Sequence, residues 1–239
     1  MSNLIKPEKR IVAVFAQSYE PDWLVEEALT NLEPIVDRVE VIDNTKQKGA
    51  WQNEGVYRRE QRQVARRLGG DWFLLTSPDE RFELSASAEI RRTVETSPKL
   101  VSYTFRVCEM WTPEEYRVDG QFGPKRHRLR LFPVDAMFGQ VQHRRIHSPL
   151  ISATYKARKR PLESRIYHLK QILEENRELR VDIMKRMDAE TGINRRPGGW
   201  DEHLMKPGDP GVELERIPED HKFFPPISRI YKWEPREGF

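Results

Sequence analysis

Short apolar runs alternate with helical spacings along the first third of the chain. An apolar run bounded by turn residues predicts a buried strand, whereas apolar residues three or four positions apart predict an amphipathic helix. By this test the strands lie at residues 11–16, 39–42 and 72–75, and the helices at residues 23–32 and 53–68. Gly69 and Gly70 end the second helix as C-cap residues. This alternation predicts a parallel sheet with right-handed crossovers.

The pattern changes after the third strand. Its predicted elements are a helix at residues 87–94, strands at residues 101–108, 127–132 and 165–169, and a helix at residues 173–189. Prolines and glycines accumulate beyond Thr191, which is typical of an irregular segment. We therefore predict an α/β fold, with a wound mixed sheet flanked by helices, in one domain at residues 1–190. Residues 191–239 are predicted to form a C-terminal extension that packs on this domain or on a partner.

The most informative stretch runs from Asp71 to Glu80. Its apolar run predicts a strand that stops at Pro78, since proline lacks the N–H donor that a sheet requires. Asp79 and Glu80 then follow the carboxyl end of the strand, which is the edge where open α/β sheets bind ligands. Carboxylate oxygens suit Mg²⁺ or Mn²⁺, and such ions often bridge to substrate phosphates. A second interpretation makes Asp79 the N-cap of a following helix, with Glu80 exposed to solvent.

Composition narrows the class of protein. Of the 239 residues 33% are charged and 37% are hydrophobic, so the chain can bury a core beneath a highly charged surface. Cys108 is the only cysteine, which excludes an intrachain disulfide and a zinc site built from several cysteines. It lies in a strand-like run, so a buried thiol is favoured over a nucleophile. The sequence contains no apolar run of about 20 residues and no signal-peptide pattern, so we expect a cytoplasmic protein without a membrane span.

Positive charge is concentrated in one segment. Between Arg117 and Arg160 eleven lysines and arginines stand against two aspartates, although the whole chain carries a net charge of only +3. Arg126, Arg128 and Arg130 alternate along a predicted strand, so their side chains should share one face. Such a face attracts phosphates or polyanions. The alternative is a solvated strand edge, on which the bases prevent pairing with another strand.

These features together resemble one known family. The segment at residues 70–81, Gly-Asp-Trp-Phe-Leu-Leu-Thr-Ser-Pro-Asp-Glu-Arg, is similar to the metal-binding motif of family 2 glycosyltransferases, which have the GT-A fold. The resemblance covers about residues 10–190 and includes the first strand, an acid after the second strand and an arginine-rich helix. Weaker matches are Tyr-Arg-Val-Asp-Gly at 116–120, Arg-Leu-Arg-Leu-Phe at 128–132 and Ile-Tyr-His-Leu at 166–169.

The resemblance implies a site for a nucleoside diphosphate sugar and a divalent ion, Mn²⁺ or Mg²⁺. Asp79 matches the second carboxylate of the family's Asp-x-Asp motif, while Ser77 stands where the first aspartate usually lies. His168 resembles a histidine that closes the metal site, and His147 resembles a histidine on the acceptor side. The residues expected near the nucleotide are Ala16, Gln17, Asp43, Arg59 and Pro78. Taken without the resemblance, Asp43 fits a local turn equally well.

Members of this family invert the configuration of the sugar, and this requires one general base for the acceptor hydroxyl. Glu109 and Asp119 are the candidates, because both flank loops that follow a central strand. Each of them could equally pair with one of the abundant arginines. The acceptor is left open between a glycan, a lipid-linked sugar and a hydroxylated base in DNA. Two other interpretations stay open, a nucleic-acid-binding module and a non-catalytic scaffold on the same fold.

Overall fold

The computed structural model describes residues 9–17, 20–43, 54–98, 101–138, 151, 158–191 and 200–234. It shows a mixed α/β protein in which a seven-stranded mixed sheet is flanked by helices. The strands are β1 (Ile11–Gln17), β2 (Arg38–Asp43), β3 (Trp72–Leu74), β4 (Glu80–Phe82), β5 (Ser102–Glu109), β6 (Glu115–Arg117), β7 (His127–Pro133), β8 (Lys159–His168) and β9 (Leu214–Arg216). The helices are α1 (Asp22–Leu32), α2 (Glu54–Arg67), α3 (Ala86–Thr96) and α4 (Glu174–Thr191). Within these ranges, none of the helices combines the length and the apolar character that a bilayer span requires.

The large sheet has the strand order β2-β1-β3-β7-β5-β8-β4. β1 pairs in parallel with β2 and with β3, which confirms the parallel winding predicted for the first three strands. β7 runs antiparallel between β3 and β5, and β8 is parallel to β5. β4 forms the edge and is antiparallel to β8. β1, β2, β3, β5 and β8 therefore run in one direction and end at the same edge of the sheet.

Helices cover both faces of the sheet. Along β1, Ile11, Ala13 and Phe15 belong to one buried cluster with α1 and α3, whereas Val12 and Val14 belong to another with α2. Successive side chains of a strand point to opposite faces, so a strand that is covered on both sides has no place for polar residues. This double burial explains the unbroken apolar run from which β1 was predicted.

The predicted helices and strands are all present, but three short strands, β4, β6 and β9, were not predicted. β8 also begins at Lys159, whereas the sequence pattern predicted a start at residue 165. β4 consists of Glu80, Arg81 and Phe82, and all three side chains are buried. A strand that buries charged residues lacks the apolar signal by which strands are recognised. The start of β8 is charged and exposed, so it also lacks the apolar signal of a strand.

The C-terminal segment at residues 200–234 packs on the rest of the chain. β9 pairs with β6, and the rings of Phe223, Tyr231 and Trp233 are buried in a cluster with side chains of β8 and α4. Asn176 of α4 holds the segment by two hydrogen bonds. Its Nδ2 donates to the carbonyl of Tyr231 and its Oδ1 accepts the N–H of Trp233, both at 2.7 Å. The described part of the C-terminal segment is thus fixed to α4 by specific polar contacts.

Replacing Asn176 with alanine should loosen this segment. The change leaves a buried N–H and a buried carbonyl without partners, so we expect the free energy of unfolding to fall by about 2 kcal/mol or more. The measurement is urea unfolding followed by tryptophan fluorescence. Glu175→Ala, at the exposed neighbouring position, is the matched control. Equal stability of the two variants would contradict the role given to Asn176.

Candidate functional site

One histidine and three carboxylates meet where the parallel strands end. Glu109 is the last residue of β5 and His168 is the last residue of β8, and the two are paired in register. On the other side of β8, His168 is paired with Glu80, the first residue of β4. Asp79 precedes Glu80 in the turn that links β3 to β4. The sheet register therefore assembles these side chains at the edge where α/β sheets bind ligands.

The turn after β3 orients Asp79. The hydroxyl of Ser77 donates to Oδ1 of Asp79 at 2.6 Å, and the carbonyl oxygen of Asp79 accepts the N–H of Leu169 at 2.8 Å. Arg81, which is fully buried, donates from Nη1 to the carbonyl of Pro78 at 2.7 Å. Ser77 therefore fixes the carboxylate of Asp79 and adds no charge of its own.

The imidazole of His168 lies between two buried carboxylates. Its Nδ1 is 2.5 Å from Oε2 of Glu109, and its Nε2 is 3.1 Å from Oδ2 of Asp79. Burial alone would lower the pKa of His168, but the charges of Glu109 and Asp79 outweigh it and raise the pKa to about 9. The ring is therefore protonated at neutral pH and donates a hydrogen bond to each carboxylate.

Both carboxylates stay ionised, although burial by itself would raise their pKa values. The charges of Arg126 and His168 hold the pKa of Glu109 well below its usual value. The charge and hydrogen bond of His168 hold the pKa of Asp79 below its usual value. Nη2 of Arg126 lies 2.5 Å from Oε1 of Glu109, whose side chain is only 1% exposed. Glu109 is thus fixed between a guanidinium and an imidazolium.

Two arginines of the basic segment, Arg126 and Arg130, pair with carboxylates of this site. Arg130 forms an ion pair with Glu80, as Arg126 does with Glu109. Glu80 is buried in a strand, so the interpretation that leaves it in solvent before a helix is wrong. Arg128, between the two arginines, is exposed. The expected open face of three guanidiniums is therefore corrected, because two of them neutralise buried carboxylates.

Two further cations lie beside Asp79. Lys170 is largely buried, and its Nζ is 3.2 Å from the centre of the Trp233 ring. Burial lowers the pKa of Lys170 to about 8, although the charge of Asp79 opposes this shift. Burial also lowers the pKa of Arg180 of α4, and the charges of Glu109 and Asp79 oppose this shift. The sequence pattern placed Arg180 on the polar face of a helix, and it contained no signal that this face turns toward the site.

Charge at this edge of the sheet is not balanced. The cationic side chains are Arg126, Arg130, His168, Lys170 and Arg180, and the carboxylates are Asp79, Glu80, Glu109 and Glu20, whose charge also acts on Lys170. Cations therefore exceed carboxylates in a largely buried cluster. An excess of positive charge attracts an anion.

Asp119, the other predicted base, has different neighbours. Its two carboxylate oxygens accept hydrogen bonds from Nε and Nη2 of Arg117, both at 2.7 Å. Oδ2 also accepts the N–H of Glu213 at 3.0 Å. These contacts agree with the interpretation of Asp119 as a salt-bridge partner, here one that joins β6 to the C-terminal segment. In the described part of the chain, the structure brings Glu109 into contact with His168 and binds Asp119 to Arg117.

The predicted nucleotide residues lie at the ends of β1 and β2. Ala16 and Gln17 are the last two residues of β1, and Gln17 is paired in register with Asp43 at the end of β2. Nε2 of Gln17 donates to Oδ1 of Asp22 at 2.7 Å, and the Asp43 side chain is exposed. Because β1 and β2 run parallel to β5 and β8, these residues lie at the same edge as His168.

The remaining predicted positions are distributed as follows. Arg59 is exposed on α2, and Pro78 is buried in the turn before β4. His147 lies outside the described residues. Cys108 is buried, as predicted, and burial raises the pKa of its thiol to about 12. A thiol of that pKa is not a nucleophile at neutral pH.

Asp79 and His168 could supply two ligands to a divalent ion. Among the described residues, no group of three or more His, Cys, Asp or Glu is arranged to hold a metal. Oδ2 of Asp79 and Nε2 of His168 are 3.1 Å apart, and adjacent ligands at about 2.1 Å from a six-coordinate ion are separated by about 3 Å. Glu109 on Nδ1 is the carboxylate that metal-binding histidines usually carry. The pair could hold Mg²⁺ or Mn²⁺ if substrate phosphates and water supplied the other oxygens.

Comparison of the chain with models of known protein families finds no match, and comparison with curated proteins finds none either. The resemblance at residues 70–81 therefore rests on the sequence motif alone.

The protonated His168 makes stability depend on pH. Its pKa of about 9 in the folded protein exceeds the value of about 6.5 in an unfolded chain, so the stabilisation is complete below pH 6.5 and is lost as pH rises toward 9. The pKa of Lys170 is lowered to about 8, so its buried charge destabilises the folded protein at lower pH. This cost is relieved only as pH rises above 8. Between about pH 6.5 and 8 we therefore expect the free energy of unfolding to fall by about 1–2 kcal/mol.

Urea unfolding at several pH values, with EDTA present, measures this dependence. His168→Gln keeps a side chain that forms hydrogen bonds but takes up no proton, so its profile should be flatter over the same range. A wild-type profile as flat as that of the variant would mean that His168 is neutral in the folded protein.

Proposed function

We propose that the protein is a metal-dependent, inverting glycosyltransferase with a GT-A-like fold, which moves a sugar from a nucleoside diphosphate sugar to an acceptor hydroxyl. The observation that carries the proposal is the row of Asp79, His168 and Glu109 at the edge where the parallel strands end. Ligands bind at that edge in α/β sheets. The similarity of residues 70–81 to the metal-binding motif of family 2 supports the same assignment.

Asp79 and His168 would hold the divalent ion through Oδ2 and Nε2. When bound, such an ion neutralises charge on the diphosphate and stabilises it as a leaving group. His168 must release the proton on Nε2 before this nitrogen can bind a metal, so metal binding and proton release are coupled. Glu109 accepts the hydrogen bond from Nδ1 and thereby fixes the orientation of the ring.

Lys170 and Arg180 would stabilise the departing nucleoside diphosphate. Negative charge grows on the diphosphate as the glycosidic bond breaks, and fixed cations in a site that excludes water stabilise this charge. Both side chains interact with the charge of Asp79, so both lie near the proposed diphosphate position. The Trp233 ring keeps the Lys170 ammonium in place, since ammonium groups are attracted to aromatic faces.

The nucleoside would lie at the other end of the same edge, beside β1 and β2. Gln17 and Asp43 are neighbours there because the two strands are paired in register. The exposed carboxylate of Asp43 can accept a hydrogen bond from an N–H group of a nucleobase. Arg59 on α2 is assigned to the same part of the donor.

Neither predicted base is free to take a proton in this conformation. Glu109 is bound by Arg126 and His168, and Asp119 is bound by Arg117. A carboxylate whose pKa is held low by such partners is a weak proton acceptor. We therefore assign Glu109 to the positioning of His168 and Asp119 to the attachment of the C-terminal segment, and the proton that the acceptor hydroxyl loses as the new glycosidic bond forms would pass to water.

Asp79→Asn tests the proposed function. The amide keeps the shape of the side chain but brings no charge to the ion, so Mn²⁺-dependent binding and hydrolysis of nucleotide sugars should fall at least about tenfold. The measurement is a panel of nucleoside diphosphate sugars with Mn²⁺ or with EDTA, read by hydrolysis and by melting temperature, because a ligand of the native state raises its stability. Asp135→Asn removes an exposed aspartate and is the matched control. Unchanged metal-dependent turnover in Asp79→Asn would disprove the assignment.

Glu109→Gln separates positioning from proton transfer. If Glu109 orients His168, the variant should lose about 10–100-fold in Mn²⁺ affinity, because partners of metal-binding histidines contribute that much. Nucleotide binding in EDTA should stay within about twofold of the wild type under the same principle. A variant with normal Mn²⁺ affinity and a large loss of turnover would instead show that Glu109 is the base.

A further inference from the structure

A cleft of about 470 Å³ opens beside the start of β7. Its described lining includes Gln121, Gly123, Lys125, Arg126, His127 and Arg128. None of the described lining residues is acidic. The volume is in the range of small-molecule binding sites. Among the described lining residues, Arg126 also belongs to the Asp79 cluster, and the others have no role there.

Arg126 connects the cleft to the candidate active site. Its side chain is 10% exposed, and its Nη2 is bound to Glu109 at 2.5 Å. Its Nε and Nη1 are buried and have no hydrogen-bond partner among the described residues. The guanidinium lies over the Phe122 ring, 5.4 Å from its centre. Buried donors without acceptors are costly, so an oxygen that reaches them binds favourably.

We propose that this cleft binds a phosphate group carried by the acceptor. Arg126 lines the cleft, and a small movement of its guanidinium toward a bound phosphate would give its buried Nε and Nη1 the oxygens that they lack. A guanidinium also matches phosphate geometry. Lys125 and Arg128 line the same cleft and add two positive charges. The assignment of the phosphate to an acceptor rests on the proposed function, whereas phosphate binding in the cleft is independent of it.

The position of the cleft suits an acceptor. Glu109 contacts both Arg126 and His168, so a single carboxylate separates the cleft from the row that would bind the donor. A phosphate held at Arg126 therefore brings the attached molecule next to the donor sugar. Holding the two reactants side by side is itself a large part of catalysis.

A small phosphate ester fits the cleft better than a nucleic acid does. Arg130 follows Arg128 along β7 and forms an ion pair with Glu80, so its charge contributes little to the protein surface. A nucleic acid contacts many cations, and its affinity falls steeply with salt concentration. One phosphate among three cations releases few counterions, so its affinity depends only weakly on salt.

Titration calorimetry of the full chain with glucose 6-phosphate, in EDTA, tests the proposal. We expect glucose 6-phosphate to bind with a weak dependence on salt, and glucose, the neutral control, not to bind. Lys125→Gln should weaken the binding of glucose 6-phosphate about tenfold, the effect of losing one charged contact. Lys222→Gln removes an exposed lysine that is paired with Glu219 and should leave the affinity unchanged.

Arg126→Lys is the second variant, because it keeps a positive charge beside Glu109 and loses the guanidinium fork. It should weaken the binding of glucose 6-phosphate and retain the circular dichroism spectrum of the wild type. Asp79→Asn should keep full affinity for glucose 6-phosphate, so failure of this proposal and failure of the proposed function appear in different variants. Absence of binding, equal binding of glucose, equal affinities of the two lysine variants or a steep salt dependence would each overturn the proposal.

Discussion

The contact of one imidazolium with two buried carboxylates decides the arrangement of this edge of the sheet. His168 is 59 residues from Glu109 and 89 residues from Asp79 in sequence, and it joins β5 and β8 to the turn after β3. An isolated charge is far more costly inside a protein than a paired one. His168 therefore depends on both carboxylates for its charge, and each carboxylate depends on His168, with Arg126 as the second cation beside Glu109.

The same constraint explains where the arginines go. Glu80 and Glu109 are buried, so each requires a cation, and Arg130 and Arg126 supply them. The high positive charge of residues 117–160 is therefore partly an internal property of the molecule. A count of charges along a sequence overestimates the positive surface wherever basic side chains are paired with acids from distant segments.

Local patterns explain which features could be predicted. β1 carries an unbroken apolar run, the helices on its two faces have helical apolar spacing, and Asp79 follows a strand that ends near a proline, so the framework and the edge of the site were both accessible from sequence. β4 was not, because the burial of Glu80 depends on Arg130, which lies 50 residues away. The pairing of Glu109 with His168 was not accessible either, since it depends on the register between β5 and β8. Sequence spacing does not encode such a register.

The attachment of Trp233 to Lys170 sets an order of events while the chain is being synthesised. The last strand of the large sheet ends at His168, so every strand of that sheet is synthesised before Tyr231 and Trp233. Asn176 can receive Tyr231 and Trp233 only some 55 residues later. Until Trp233 has been synthesised, its ring cannot cover the side chain of Lys170. The site is thus among the last parts of the molecule to become enclosed.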